Sequence, residues 1–290
     1  MGRVLEASPA EKDDASDASE GLLDVHEVTV GFGGLLALDQ VSMSIGQGEI
    51  VGVIGPNGAG KTTLFNAISG FVHPNSGRIS YRGKVLRRHH RPHDLAKLGI
   101  ARTLQGVGLC AGLTVLENVM LGAQPALRSD LGSAFLGLWR SSREERRTAG
   151  RAMEVLDELG IADQARRLPS ALPYGVQKRT SLGRALMMDP QVLLLDEPAS
   201  GLSESDMATL GSMIRGLSER MAVVLVEHHM DLVMAVCERL VVLNFGVVIA
   251  EGTPAAIRGN PEVATAYLGD EVEGVHAQRA RAAGEPQPDA

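Results

Sequence analysis

From residue 21 to about residue 270 the chain switches repeatedly between two hydrophobic periods. Residues 22–30 and 41–45 carry apolar side chains at alternate positions, the pattern of half-buried strands. Residues 49–54 form an apolar strand ending at Gly55, residues 192–195 read as a buried strand, and residues 222–226 as another. Short strands follow at 78–81, 240–244 and 247–250. Helical spacing governs residues 61–69, 93–98, 143–159, 176–188, 205–219 and 231–237. In the stretch 143–159, Ala152, Val155, Leu156 and Leu159 share one face. Thr253 is placed to cap a last helix, with Pro254 at its first position. Strands alternating with helices predict an α/β fold, a parallel sheet covered on both faces. The strand-rich beginning adds an antiparallel β layer. The helical stretch of about 113–189, lying between two sheet strands, reads as an inserted α-helical subdomain.

Composition narrows the class. Hydrophobic residues make up 44% of the 290 and charged residues 22%, enough for a sizeable globular core. Aromatics are only 3% and the formal net charge is -7, which argues against a nucleic-acid surface and predicts no nucleic-acid partner. Residues 1–20 are acidic and polar and read as a disordered tail, as do residues 271–290, rich in Ala, Arg, Gly, Glu and Pro. No apolar run reaches the roughly 18 residues that span a bilayer, so any membrane role is expected to be peripheral. Cys110 and Cys237 are far apart and are expected to be buried free thiols. The basic segment 82–91, with Lys84, Arg87, Arg88, His89 and His90, is expected to be a solvated loop.

The strand ending at Gly55 runs into Gly55-Pro56-Asn57-Gly58-Ala59-Gly60-Lys61-Thr62-Thr63, which fits the phosphate-binding pattern G-x-x-x-x-G-K-[ST] and opens a helix. Small residues let backbone N–H groups close around phosphate oxygens, and the helix N-terminus adds partial positive charge. Lys61 is then expected on the β- and γ-phosphates and the Thr62 hydroxyl on Mg²⁺. Residues 192–195 end in Asp196-Glu197-Pro198. Asp196 is placed to hold the Mg²⁺ shell and Glu197 to polarise an attacking water, as a general base. His228 follows the 222–226 strand and Glu227, a plausible γ-phosphate contact, with His229 competing for the role.

The order Phe32, phosphate loop, Gln105, Leu172-Pro173-Tyr174-Gly175, Asp196-Glu197, His228 resembles the nucleotide-binding subunits of ABC transporters over roughly residues 22–270. More narrowly it resembles the ATP-binding subunits of branched-chain amino acid uptake systems. The runs that carry this are Phe32-Gly-Gly-Leu-Leu-Ala-Leu38, Gly99-Ile-Ala-Arg-Thr-Leu-Gln105, Val226-Glu-His-His-Met-Asp-Leu-Val-Met234 and the ending from Gly252 to Gly269. The resemblance implies a P-loop NTPase (RecA-like) core that uses ATP and Mg²⁺. It implies that Phe32 stacks on adenine, that Gln105 senses Mg²⁺ and the γ-phosphate, and that His228 is the switch histidine. It also implies a second ATP-binding subunit forming a nucleotide sandwich, integral membrane permease subunits met by about residues 107–123, and a substrate-binding protein. Such a subunit sits on the cytoplasmic face of the plasma membrane.

Two departures stand out. The family's Leu-Ser-Gly-Gly-Gln signature is Leu172-Pro173-Tyr174-Gly175-Val176 here, so the hydroxyl that reaches across to the other subunit's ATP is missing. Ser203 stands where an Asp is usual. These changes predict a heterodimer with unequal sites. The leading reading is an ATPase energising import of branched-chain or other hydrophobic amino acids. The alternatives are a urea, short-amide or lipid transporter, a subunit that binds ATP without turnover, and a soluble ATPase acting on ribosomes or DNA.

Overall fold

A computed structural model describes residues 21–87, 89–103, 106–126 and 138–267. Arg88, Gln105 and both terminal tails lie outside these residues. Among the described residues, ten strands form two sheets. The first is antiparallel: β1 (Leu23–Phe32), β2 (Leu35–Ile45), β4 (Ser76–Tyr81) and β5 (Lys84–Val85), in the order β2-β1-β4-β5. The second has six strands: β3 (Ile50–Ile54), β6 (Ile100–Arg102), β7 (Val192–Asp196), β8 (Ala222–Val226), β9 (Arg239–Asn244) and β10 (Val247–Gly252). Their order is β10-β9-β3-β8-β7-β6, all parallel except the edge strand β10.

The helices are α1 (Lys61–Ile68), α2 (Pro92–Leu98), α3 (Val115–Met120), α4 (Leu138–Glu158), α5 (Tyr174–Leu186), α6 (Glu204–Ser218), α7 (Met230–Val236) and α8 (Pro254–Arg258). Residues 261–267 are helical as well. Helices α3, α4 and α5 all lie between β6 and β7 in the chain. Thr253 does cap α8: its side chain accepts from the Ala256 amide, and Pro254 is the first helical residue.

The central strands read as continuous apolar runs because both of their faces are buried. Successive side chains go to opposite cores. Ile50, Ile54, Leu193, Leu195, Val223, Leu225, Leu240 and Val242 pack with helices α3 to α7. Val51, Val53, Val192, Leu194, Val224, Val226, Val241 and Leu243 pack with α1 and the antiparallel sheet. The fold is therefore a three-layer α/β assembly with an added antiparallel layer.

The structure corrects several expectations. Strands β1 and β2 run longer than the alternation shows, because register shifts at 25–28 and 28–30 break the period of two; Glu27 and Gln40 sit in those irregularities with positive φ. Strand β6 is too short to show a period of its own; its pairing with β7, Ile100 to Val192, defines it. Helix α5 starts at Tyr174, inside the signature, because Pro173 supplies the helix-entry geometry. Cys237 is buried as expected, but Cys110 is exposed: it lies in a surface loop held by its backbone, which bonds to Asn118. His90 is buried rather than solvated, with its ring nitrogens against the carbonyls of Ile68 and Arg87.

Candidate active site

Parallel register brings the candidate residues to one edge of the six-stranded sheet. Val53 of β3 is opposite Val226 of β8, which is opposite Asp196 of β7. The segments leaving these strands, Gly55–Thr62, Glu197–Ser203 and Glu227–His229, therefore emerge side by side at the C-terminal ends. That is where ligands of open parallel sheets bind.

The phosphate loop is shaped by backbone constraints that only glycine meets. At Gly55, φ is 151° and an added Cβ would lie 2.1 Å from the Leu243 carbonyl oxygen; at Gly60, φ is 104° and it would lie 2.7 Å from that of Ala37. Gly60 ends the loop and precedes α1, so Lys61, Thr62 and Thr63 are its first three residues. Lys61 Nζ donates to the carbonyls of Gly55 and Pro56, both at 2.7 Å. Its ammonium is thus held over the loop, close to the helix N-terminus.

Asp196 is 4% exposed. Its Oδ2 accepts from Arg102 Nη2 at 2.7 Å, while Arg102 Nη1 donates to Asn66 Oδ1 and Ser69 Oγ at the end of α1. Asp196 N donates to Thr103 Oγ1 at 3.4 Å. One arginine therefore ties the carboxylate to the helix that follows the phosphate loop. Glu197 has φ 47°. A non-glycine residue there costs about 1–2 kcal/mol, a strain that recurs at functional sites. It persists because the Glu197 amide donates to Val226 O at 2.9 Å and its carbonyl accepts from Lys178 Nζ at 3.1 Å.

Glu227 is almost fully buried and organises the next loop. Its Oε1 accepts from the amides of His228 and His229 and lies 2.8 Å from His229 Nδ1; its Oε2 accepts from the Ala199 amide. Burial pushes this carboxyl up, but the His229 ring and the three amides outweigh it, so its pKa ends below the ordinary 4.5. The donor atoms of Glu227, His228 and His229 lie within 4.8 Å of one another, but the carboxylate is already engaged as a hydrogen-bond anchor. Both rings approach Glu227 Oε1, His229 Nδ1 at 2.8 Å and His228 Nδ1 at 3.3 Å, but the His228 side chain is 57% exposed against 31% for His229. Of the two, His228 is the one presented outward.

The signature residues adjoin this edge from the helical side. Pro173 precedes α5 with no side-chain cap, and the amides of Val176 and Gln177 donate to its carbonyl. Leu172 is buried, and its carbonyl accepts from Gln177 Nε2. Gly175 is buried so tightly that a Cβ would lie 2.7 Å from Asp206 Oδ1. Phe32 is 50% exposed at the end of β1, where it pairs with Leu35 across the Gly33-Gly34 turn. Ser203 caps α6, accepting from the Asp206 amide.

The model of the ABC transporter family matches residues 38–200, and a model described as the branched-chain amino acid ATP-binding cassette transporter matches residues 247–273. The chain is 39% identical to the high-affinity branched-chain amino acid transport ATP-binding protein LivG of Escherichia coli, covering 87% of this chain and 99% of that one. It is 37% identical to the corresponding protein BraF of Pseudomonas aeruginosa, again over 87% of this chain and 99% of that one. Among solved structures, a nucleotide-free ATP-binding cassette from an ABC transporter shares 31% identity, with a TM-score of 0.75, covering 85% of this chain and 98% of that one. This chain belongs to the ABC transporter family of ATP-binding cassettes.

The fold class, the ATP-binding assignment and the ATPase class read from the motifs therefore hold for this cassette. The structure adds residues that motif reading passed over. Arg102 grips Asp196, Lys178 grips Glu197, and Glu227 joins the loop after Glu197 to the one bearing His228. Arg102 stood in the run that carried the family resemblance, yet nothing local marked it as the partner of a residue 94 positions away. Asn118 was missed too: fully buried, it bonds to Cys110, Leu113 and Thr114 and so fixes the segment leading into α3. Among the described residues, no helix is long and apolar enough to cross a membrane.

Proposed function

We propose that this cassette is the ATP-hydrolysing subunit of an importer for branched-chain or other hydrophobic amino acids, seated peripherally on the cytoplasmic face of the membrane. The observation that carries the substrate class is the 39% identity along 99% of LivG, a branched-chain amino acid transport protein. The C-terminal match over residues 247–273 supports the same branch. Its partners on this reading are a second ATP-binding subunit, integral permease subunits and, through them, a substrate-binding protein.

The residues divide the work as follows. Residues 55–63 cradle the phosphates with backbone N–H groups, and the Lys61 charge offsets theirs. Phe32 offers an aromatic face to adenine. The Thr62 hydroxyl and the Asp196 carboxylate are hard oxygen donors of the kind Mg²⁺ prefers. Asp196 fits that role because Arg102 engages its Oδ2 through one nitrogen, so the carboxylate is aligned by a single bond. The metal supplies charge neutralisation on the phosphates when bound. Glu197 accepts the proton of the attacking water, and His228 contacts the γ-phosphate. Gln105 is assigned the sensor role that links Mg²⁺ to the permease contact. The signature, residues 172–176, faces the other subunit's ATP; with Pro173 in place of a hydroxyl, it favours a heterodimer with unequal sites.

The test is steady-state ATPase and transport by the assembled complex with Glu197→Gln. A neutral amide cannot accept the proton, so turnover should fall by about 10²–10⁴ while ATP binding persists. Turnover stimulated by a leucine-loaded binding protein supports the substrate class; stimulation by urea or acetamide instead moves the cassette to the amide branch. Glu197-independent turnover would refute the base assignment. An equal loss from the matching change in the other subunit would count against unequal sites.

A further inference from the structure

The loop after Glu197 is gripped at both ends by the first two turns of α5. At one end, Lys178 Nζ donates to the Glu197 carbonyl at 3.1 Å, an oxygen that also accepts from the Ser200 amide at 3.3 Å. At the other, the Tyr174 ring lies on Gly201, where an added Cβ would stand 3.0 Å from Tyr174 Cε1. Lys178 Nζ in turn lies 5.5 Å from the centroid of the Tyr174 ring. Helix α5 begins in the signature turn itself, so the residues that on the proposed function face the other subunit's nucleotide share one helix with the residues that hold this chain's own loop.

We propose that Lys178 is a positioning residue for ATP hydrolysis: from the signature helix it holds the Glu197 main chain in the left-handed turn on which the general base is mounted. The proposal rests on the assignment of Glu197 made above. Glu197 is strained at φ 47°, and such a conformation persists only while its surroundings impose it. On one side the constraint is a sheet-edge bond to Val226 O, which moves with the core. On the other side it is Lys178, which moves with α5. Seating of the signature on the other subunit's ATP is thereby transmitted to the base that acts on this subunit's ATP. The setting suits a lysine. Burial lowers its pKa below the ordinary lysine value, and the charges of Glu227, Glu197 and Asp196 oppose that shift in part.

The experiment compares Lys178→Met, which keeps length and loses the donor, with Lys178→Arg, which keeps a donor and the charge. The full chain is used in the complex isolated with its own permease and ATP-binding partners. We expect Lys178→Met to lower kcat about tenfold, the scale of a slightly misplaced catalytic group. Its dissociation constant for a fluorescent ATP analogue should stay within about twofold, the signature of a loss confined to turnover. Lys178→Arg should recover most of the rate. Amide hydrogen exchange at residues 199–202 of the full chain should quicken in Lys178→Met and not in Lys178→Arg. An unchanged kcat in Lys178→Met overturns the proposal whatever the exchange shows. Equal losses in both variants, accompanied by weaker nucleotide binding, also overturn it and mark Lys178 as part of the general packing of α5. Glu197→Gln, measured alongside, separates the two readings: if that variant turns over normally, the base assignment fails, whereas a normal Lys178→Met beside a dead Glu197→Gln sinks only the role of Lys178.

Discussion

The six-stranded sheet carries an arginine–carboxylate pair at each edge, and the two are built differently. At the N-terminal edge, Arg239 meets Glu49 with two prongs, Nε to Oε1 at 2.7 Å and Nη2 to Oε2 at 3.0 Å. The same guanidinium also donates to Ser44 O and Glu251, and Glu49 Oε2 accepts the Gly46 amide. At the C-terminal edge, Arg102 meets Asp196 with one prong and spends its other terminal nitrogen on Asn66 and Ser69. Its Nε is buried without a hydrogen bond, and the rings of Phe65 and Phe71 lie 5.6 and 5.7 Å from the guanidinium carbon. A saturated, bidentate pair is what a scaffold contact looks like. The other pair leaves a donor orphaned and holds its carboxylate through a single bond, the geometry that the proposed metal-binding role calls for.

Removing the arginine from each pair tests this contrast, and the largest effect belongs to Arg102. Arg102→Met strands a nearly dry Asp196 carboxylate, a loss of about 3–5 kcal/mol when one partner of a buried pair is removed. Urea unfolding should show a markedly lower midpoint with an unchanged slope. Of the protein that remains folded, the Mg²⁺ dependence of ATPase should shift to higher metal concentration if Asp196 holds the metal as proposed, because its carboxylate is no longer aligned. A stability loss with an unaltered Mg²⁺ requirement would make Arg102 as purely structural as Arg239.

Arg239→Met should cost less, about 1–3 kcal/mol, the range of hydrogen bonds to a charged group. Arg239 and Glu49 each keep about a fifth of their side-chain surface in water, so solvent offsets part of the loss. Turnover per folded molecule should be unaffected, since the pair sits at the far end of the strands from the phosphate loop. A drop in kcat at constant folded fraction would mean that the two edges communicate, and the contrast between them would collapse.

The same contrast explains what the amino-acid sequence disclosed. The loop at 55–63, Asp196-Glu197 and His228 stood out as candidates because each is a short run whose chemistry and backbone requirement are local, such as Gly60 at φ 104° directly before Lys61, six positions on from Gly55. The buried central strands were legible because apolar runs of five residues have few other uses. Arg102, Lys178 and Glu227 act through partners brought near by folding, and one of those partners is a main-chain carbonyl that has no residue identity at all. Strand β6 was hidden for the same reason: three residues carry no period, and its pairing partner lies about 90 residues on. The length of β1 and β2 was hidden by bulges, which shift side chains to the other face and erase the alternation that would have revealed them.

The smallest effect separates charge from geometry within the N-terminal pair. Burial raises the Glu49 carboxyl, but the Arg239 hydrogen bonds, the Gly46 amide and the Arg239 charge together overcome it, so the folded pKa lies below the ordinary 4.5. A depressed carboxylate binds its proton less readily in the folded than in the unfolded chain. Its contribution to stability is therefore complete above about pH 4.5 and is lost as the pH falls through the folded value. Glu49→Gln keeps an oxygen for the Gly46 amide and for one Arg239 nitrogen but cannot titrate. The unfolding free energies of wild type and Glu49→Gln should thus differ by a constant amount near neutrality and converge as the pH drops below 4.5. A gap that stays constant through that window would mean the pair holds by hydrogen-bond geometry alone. Its rigidity would then owe nothing to charge, and the two-pronged contact would be the whole difference between it and the pair at Asp196.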